Sequence, residues 1–121
     1  MLHDVIQAVT KRNIPIFAAA GNEPVTTPFY PAAYPEVMAV TAVDNGQLAP
    51  YANRGSFVSL GAPGTSLFCF NGQSYYAEGT SASSALLTGT SAGQMDATHA
   101  GAAQMEKSIY QAYGVKIVPK P

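Results

Sequence analysis

Glu78-Gly79-Thr80-Ser81-Ala82-Ser83-Ser84-Ala85-Leu86-Leu87-Thr88-Gly89 reads as a tight glycine turn that delivers a serine to the start of a helix of small and apolar residues. The first turn of a helix leaves backbone N–H groups unpaired and carries a partial positive charge. A serine there caps the helix with its own hydroxyl. Beside a base, it instead attacks a carbonyl while those donors stabilise the oxyanion. Standing alone, the stretch favours the cap. From Ser81 to about Gln94 the run is apolar nearly all round, the mark of a helix buried on every side. Gly89 and Gly93 each lower helix stability by about 1 kcal/mol relative to Ala, a loss that makes sense where neighbouring elements approach closely.

A chain of 121 residues suits one domain. Such a chain can hardly surround a helix on all sides, so it reads as most of a core missing a wall. Hydrophobic residues make up 47%, enough for a sizeable core, and charged residues only 11%. A net charge of −1 without any Lys/Arg run argues against nucleic acid or an anionic membrane as partner. No uncharged apolar run is long enough to span a membrane. Met1 to Gln7 has neither the basic nor the apolar region of a signal peptide. The single Cys69 has no partner for an internal disulfide.

Working outward, Leu2, Val5, Ile6 and Val9 have the spacing of an amphipathic helix over residues 2–12, ending at Asn13. Ile14 to Ala20 is continuously apolar and closes on Gly21-Asn22, as expected of a strand buried on both faces, with Pro15 at its beginning. Residues 23–35 form a loop with four prolines. Val37 to Val43 is a second buried strand closed by Asp44-Asn45-Gly46, and Phe57 to Leu60 a third. Leu67–Phe70 and Gln73–Tyr76 flank Asn71-Gly72, a hairpin signal suited to a type I′ turn. A last helix spans about Ala102 to Tyr113, with Met105, Ile109, Ala112 and Tyr113 on one face and Gly114 as the stop. Lys116 to Pro121 reads as a strand stub or frayed end. This helix–strand–loop rhythm is α/β.

Several motifs compete for a chemical role. Gly89-Thr90-Ser91-Ala92-Gly93 matches the G-x-S-x-G elbow in letters, yet that elbow needs a strand entering a sharp turn, and Ser91 sits inside a helical run. Gly61 to Ser66 lacks the lysine and following helix of a phosphate loop. His3 and His99 have no ligand-spaced partner, so no metal site is expected, and both read as helix-surface residues. Asp4, Asp44 and Asp96 read as helix or turn surface. Asn22 differs, because an amide at the C-terminal end of a buried strand is where α/β sheets place ligand-contacting groups. Alone, it reads first as a turn residue that tolerates left-handed φ.

Taken in order, Ala18-Ala19-Ala20-Gly21-Asn22-Glu23, Tyr30 to Asp44, Tyr51-Ala52-Asn53-Arg54-Gly55, Leu60-Gly61-Ala62-Pro63-Gly64 and Gly79-Thr80-Ser81 resemble the subtilisin-like serine proteases over residues 1 to about 95. The likeness is to the C-terminal part of that family's catalytic domain. It implies a partial subtilisin-like fold, mostly parallel sheet with a buried central helix. It implies Ser81 as nucleophile, Asn22 as side-chain oxyanion donor and the Ser81 N–H as the second donor. Ala19, Ala20 and Gly21 fall at one wall of the primary specificity pocket and Glu23 at its rim. The family's triad runs Asp, His, Ser, and its first two members fall outside this chain. The edge strand preceding the AAGN block is absent too. The family's Pro four residues after the nucleophile is Ala85, its usual Met is Ala82, and its frequent small residue before Gly89 is Thr88.

The expected organisation is residues 1–98 as the C-terminal part of the catalytic domain and 99–121 as a terminal helix and tail. The expected function is peptide-bond hydrolysis through an acyl-enzyme, incomplete here because the base is missing, so the isolated chain is expected to be inactive or nearly so. The expected partners are a peptide or protein substrate and an N-terminal segment or chain bearing the Asp and His. No cofactor is implied, and members of the family are often secreted. The alternatives are a non-catalytic peptide-binding or interaction module and an esterase using Ser91.

Overall fold

A computed structural model describes residues 1–115; the expected strand stub at Lys116–Pro121 lies outside them. The chain runs α1 (Leu2–Lys11), β1 (Phe17–Ala19), β2 (Met38–Asp44), β3 (Gln47–Leu48), β4 (Leu60–Ala62), β5 (Thr65–Phe70), β6 (Gln73–Glu78), α2 (Thr80–Thr98) and α3 (Ala102–Tyr113). The α/β class and the mostly parallel sheet are as expected. β2 is central, with β1 and β4 parallel on its two sides, registered Ala18↔Ala39 and Thr41↔Gly61. β3 turns back antiparallel on its end, Val43↔Leu48.

Period-2 alternation explains the core. Met38 and Val40 of β2 join Leu60 and Ala62 of β4, and α2 and α3 close the layer with Leu87, Met105 and Ile109. Gln94 Nε2 donates to Ser108 Oγ at 2.8 Å and ties the two helices together.

Four expectations shift. β4 begins at Leu60 rather than Phe57, because pairing with Val40–Ala42 selects Leu60-Gly61-Ala62 over the more β-prone residues before it. β1 is shorter than residues 14–20 and half-buried, being paired along one edge. On α1 only Ile6 is buried, and Leu2 and Val5 face solvent. α2 is central, but its burial is one-sided: Thr80, Ser83, Leu87 and Ser91 face inward. Ser81, Ala85, Thr88, Gly89 and Ala92 are exposed along the opposite side. A helix apolar all round can be buried all round only where other chain covers it, and among the described residues the sheet and α3 cover one stripe.

The β5–β6 hairpin forms around Asn71-Gly72 with both residues at positive φ, as its sequence requires. It carries Phe68 stacked on Tyr75, ring centroids 5.5 Å apart, and leaves Leu67 and Tyr76 78% and 62% exposed.

Candidate active site

Two turns meet at the N-terminus of α2. The first follows β1, where the Ala20 N–H donates to Val40 O at 2.8 Å and the chain turns at Gly21. Gly21 has φ +114°, and an added Cβ would lie 2.2 Å from Asn53 Nδ2, so no other residue fits. The second turn is Gly79, with φ +148° and ψ 166°, a region open essentially to glycine alone. A Cβ there would stand 3.3 Å from Asn22 Nδ2.

The turns are joined by hydrogen bonds. Asn22 Oδ1 accepts from the Thr80 N–H and from Thr80 Oγ1, each at 2.9 Å. Thr80 Oγ1 in turn accepts from the Gly21 N–H at 3.1 Å. The helix is thus capped by a side chain 58 residues away in sequence, and Ser81 is not the cap. That overturns the reading favoured by the serine stretch alone. With Oδ1 committed to Thr80, the Asn22 amide nitrogen has no acceptor among the described residues. The Ser81 N–H, in the first turn of α2, has no acceptor among the described residues, whereas the Ala82 and Ser83 N–H groups donate to Gly79 O. Ser83 Oγ anchors the same turn by donating to Ala62 O at 2.9 Å. Asn22 Oδ1 is thus bonded to the residue that precedes the exposed Ser81.

Ala19, Ala20 and Gly21 line up on the chain entering Asn22, half-buried, buried and half-buried, and Glu23 is exposed just beyond. A groove of about 440 Å³ is lined by Ser81, by Phe68 and Ala77 of the hairpin and by Ala82, Ala85 and Leu86 of α2. Across the Gly79 turn, burial, and then the charges of Asp44 and Glu78, push the Tyr51 phenol upward. A cleft of about 330 Å³ between α1 and α3 contains none of these residues.

Neither histidine serves Ser81. His99 caps the far end of α2, so the eighteen-residue separation puts it about 27 Å along the axis from Ser81. His3 stacks on Tyr34, centroids 4.1 Å apart, and its Nε2 lies 2.9 Å from Glu36 Oε2. That bond, with a backbone N–H and Gln7 adding to it, holds the Glu36 carboxyl below its ordinary value. Ser91 is 2% exposed within α2, its hydroxyl without a partner among the described residues, and the strand-to-helix elbow is absent around it. Among the described residues no three His, Cys, Asp or Glu side chains gather as a metal cluster, and no helix is long and apolar enough to cross a membrane.

Sequence reasoning missed Thr80 and Asn53 as site-building residues. Asn53 is fully buried behind Gly21 and Asn22. The available signal was a threonine directly before the serine and an asparagine inside a short block shared with the family.

The profile of the Subtilase family, Peptidase_S8, matches residues 2–113. The chain belongs to this family. The match runs through α3, beyond the limit near residue 95 drawn from motifs. The Minor extracellular protease Epr of Bacillus subtilis (strain 168) is 37% identical over 87 residues, 70% of this chain and 14% of Epr. Subtilisin BL of Lederbergia lenta is 37% identical over 108 residues, 88% of this chain and 36% of that protein. The solved structure of the Prenylagaramide maturation protease PagA superposes with a TM-score of 0.70 at 30% identity, covering 74% of this chain and 35% of PagA. The chain therefore spans little more than a third of these subtilases at most.

Proposed function

We propose that this chain provides the acyl-transfer half of a subtilisin-like serine endopeptidase. Ser81 Oγ attacks the scissile carbonyl, and its proton passes to a base. The carbonyl oxygen becomes an oxyanion that accepts from Asn22 Nδ2 and the Ser81 N–H. Collapse expels the amine, which takes the proton from the base, and water then hydrolyses the acyl-Ser81 ester by the same route in reverse. Ala19, Ala20 and Gly21 form one wall for the side chain preceding the scissile bond, and Glu23 at the rim favours a basic one, weakly at physiological salt. The observation that carries this reading is the pair of 2.9 Å hydrogen bonds that Asn22 Oδ1 accepts from Thr80, the residue before Ser81, with Asn22 Nδ2 having no acceptor among the described residues.

The base is the missing component. With His99 at the far end of α2 and His3 engaged with Glu36, this reading requires a histidine and an aspartate from outside these residues. A serine hydroxyl without a base is a poor nucleophile, so the chain alone is inactive or nearly so. The test is intact-mass analysis after a fluorophosphonate probe, on the chain combined with the Asp- and His-bearing segment of a subtilase. One adduct is expected, lost in Ser81→Ala and kept in Ser91→Ala. Loss in Ser91→Ala instead makes the chain an esterase, and no adduct in any combination makes it a non-catalytic peptide-binding module.

A further inference from the structure

Asn53 spends its side chain and its backbone N–H on the turn that carries Asn22, and its carbonyl on β2. Its Nδ2 donates to Ala20 O at 2.8 Å. Its Oδ1 accepts from Glu23 N at 2.9 Å and from Val25 N at 3.4 Å. Its backbone N–H donates to Gly21 O at 2.8 Å, and its carbonyl accepts from Thr41 Oγ1 of β2 at 2.6 Å. The residue is fully buried, in a setting where an unpaired polar group is costly and a satisfied one fixes its neighbours. The bonds bracket Asn22: two carbonyls before it and two N–H groups after it end on one side chain and its backbone. Only glycine at position 21 lets that side chain come so close.

We infer that Asn53 is a positioning residue for the proposed oxyanion donor, and that it couples Asn22 to the Glu23 rim. Thr80 orients the Asn22 side chain, and Asn53 sets the backbone from which that side chain projects. Both are required for an amide nitrogen to sit within hydrogen-bond reach of a developing oxyanion. A displacement of about 1 Å at such a donor costs on the order of 100-fold in rate, so a residue that never touches substrate acts on turnover more than on binding. This inference rests on the acyl-transfer reading above.

The test has two arms. On the chain itself, amide exchange and the Asn22 side-chain NMR signals are compared among wild type, Asn53→Ala, and Leu87→Ala as a core control. Asn53→Ala is expected to speed exchange at Glu23 and Val25 by about 10-fold or more beyond the control and to move the Asn22 amide signals toward those of a freely rotating amide. Asn53→Asp keeps the acceptor and loses the donor, so it restores slow exchange at Glu23 in part. Asn53→Ser, whose hydroxyl cannot reach both Ala20 and Glu23, carries the same expectation should Asn53→Ala not fold. In the chain combined with the Asp- and His-bearing segment, Asn53→Ala is expected to lower kcat about 10-fold or more with KM changed less than about 2-fold. Asn22 signals and Glu23 exchange that move no further than in Leu87→Ala overturn the inference. If they move but Ser81 never labels, the hold of Asn53 on Asn22 stands and the protease reading fails.

Discussion

The junction of the Gly21–Asn22 and Gly79–Ser81 turns and the face made by β5–β6 with the outer side of α2 both border Ser81, and they treat their side chains in opposite ways. In the junction, Asn22, Asn53 and Thr80 meet one another or the backbone, with partners 28 to 59 positions distant in sequence. On the neighbouring face, Leu67, Phe68, Phe70, Tyr75, Tyr76 and Leu86 remain exposed. The hairpin there rests on a local turn and a cross-strand aromatic pair. Precision sits on one side: long-range polar bonds fix the Asn22 amide and the threonine before Ser81, while among the described residues nothing covers the adjacent apolar surface.

The junction should break most readily at Gly21. Gly21→Ala forces a strained φ and a collision with Asn53, and is expected to lower unfolding free energy by about 4 kcal/mol in urea titration. The two sides of α2 give the next contrast. Leu87→Ala removes a fully buried side chain from the core and should cost about 3 kcal/mol.

Acid provides a smaller, signed effect at the α1 clamp. Glu36 titrates below its ordinary 4.5 in the folded chain. Its contribution is therefore present above pH 4.5 and is lost as pH falls through the lowered folded value. The urea midpoint should drop over that acid window in wild type, and Glu36→Gln should flatten the drop. Smallest of all, Leu86→Ala, next to Leu87 in sequence but 45% exposed, should change stability by no more than about 0.5 kcal/mol. A cost similar to that of Leu87→Ala would mean that this face is covered in solution.

Much of the frame was legible because it depends on local pattern. Met38–Ala42 is apolar except for Thr41 and becomes the central strand, and Asn71-Gly72 fixes the hairpin. α3 falls on the predicted residues, although Gly114 ends it in an extended conformation (φ −61°) rather than a left-handed one. β4 was displaced and β3 missed because pairing with β2 decides both, and two residues such as Gln47-Leu48 carry no periodicity. At the site, Ser81 and Asn22 were visible through family motifs, while what holds them was not. The Asn22–Thr80 and Asn53–Ala20 bonds span 58 and 33 positions, and no local pattern encodes a partner at that distance. Burial of α2 was overestimated for a related reason: composition tells that a helix can be covered, and only the surrounding chain determines that it is.

On the proposed reading, Asn22 donates to the oxyanion formed when Ser81 attacks, with the base supplied from elsewhere. The most direct measurement of this is the rate of fluorophosphonate acylation of Ser81 in wild type and Asn22→Ala, both combined with the Asp- and His-bearing segment. The account predicts labelling at Ser81 in both, slower in Asn22→Ala by about 100-fold or more. Equal rates would contradict it, as would an adduct that survives Ser81→Ala.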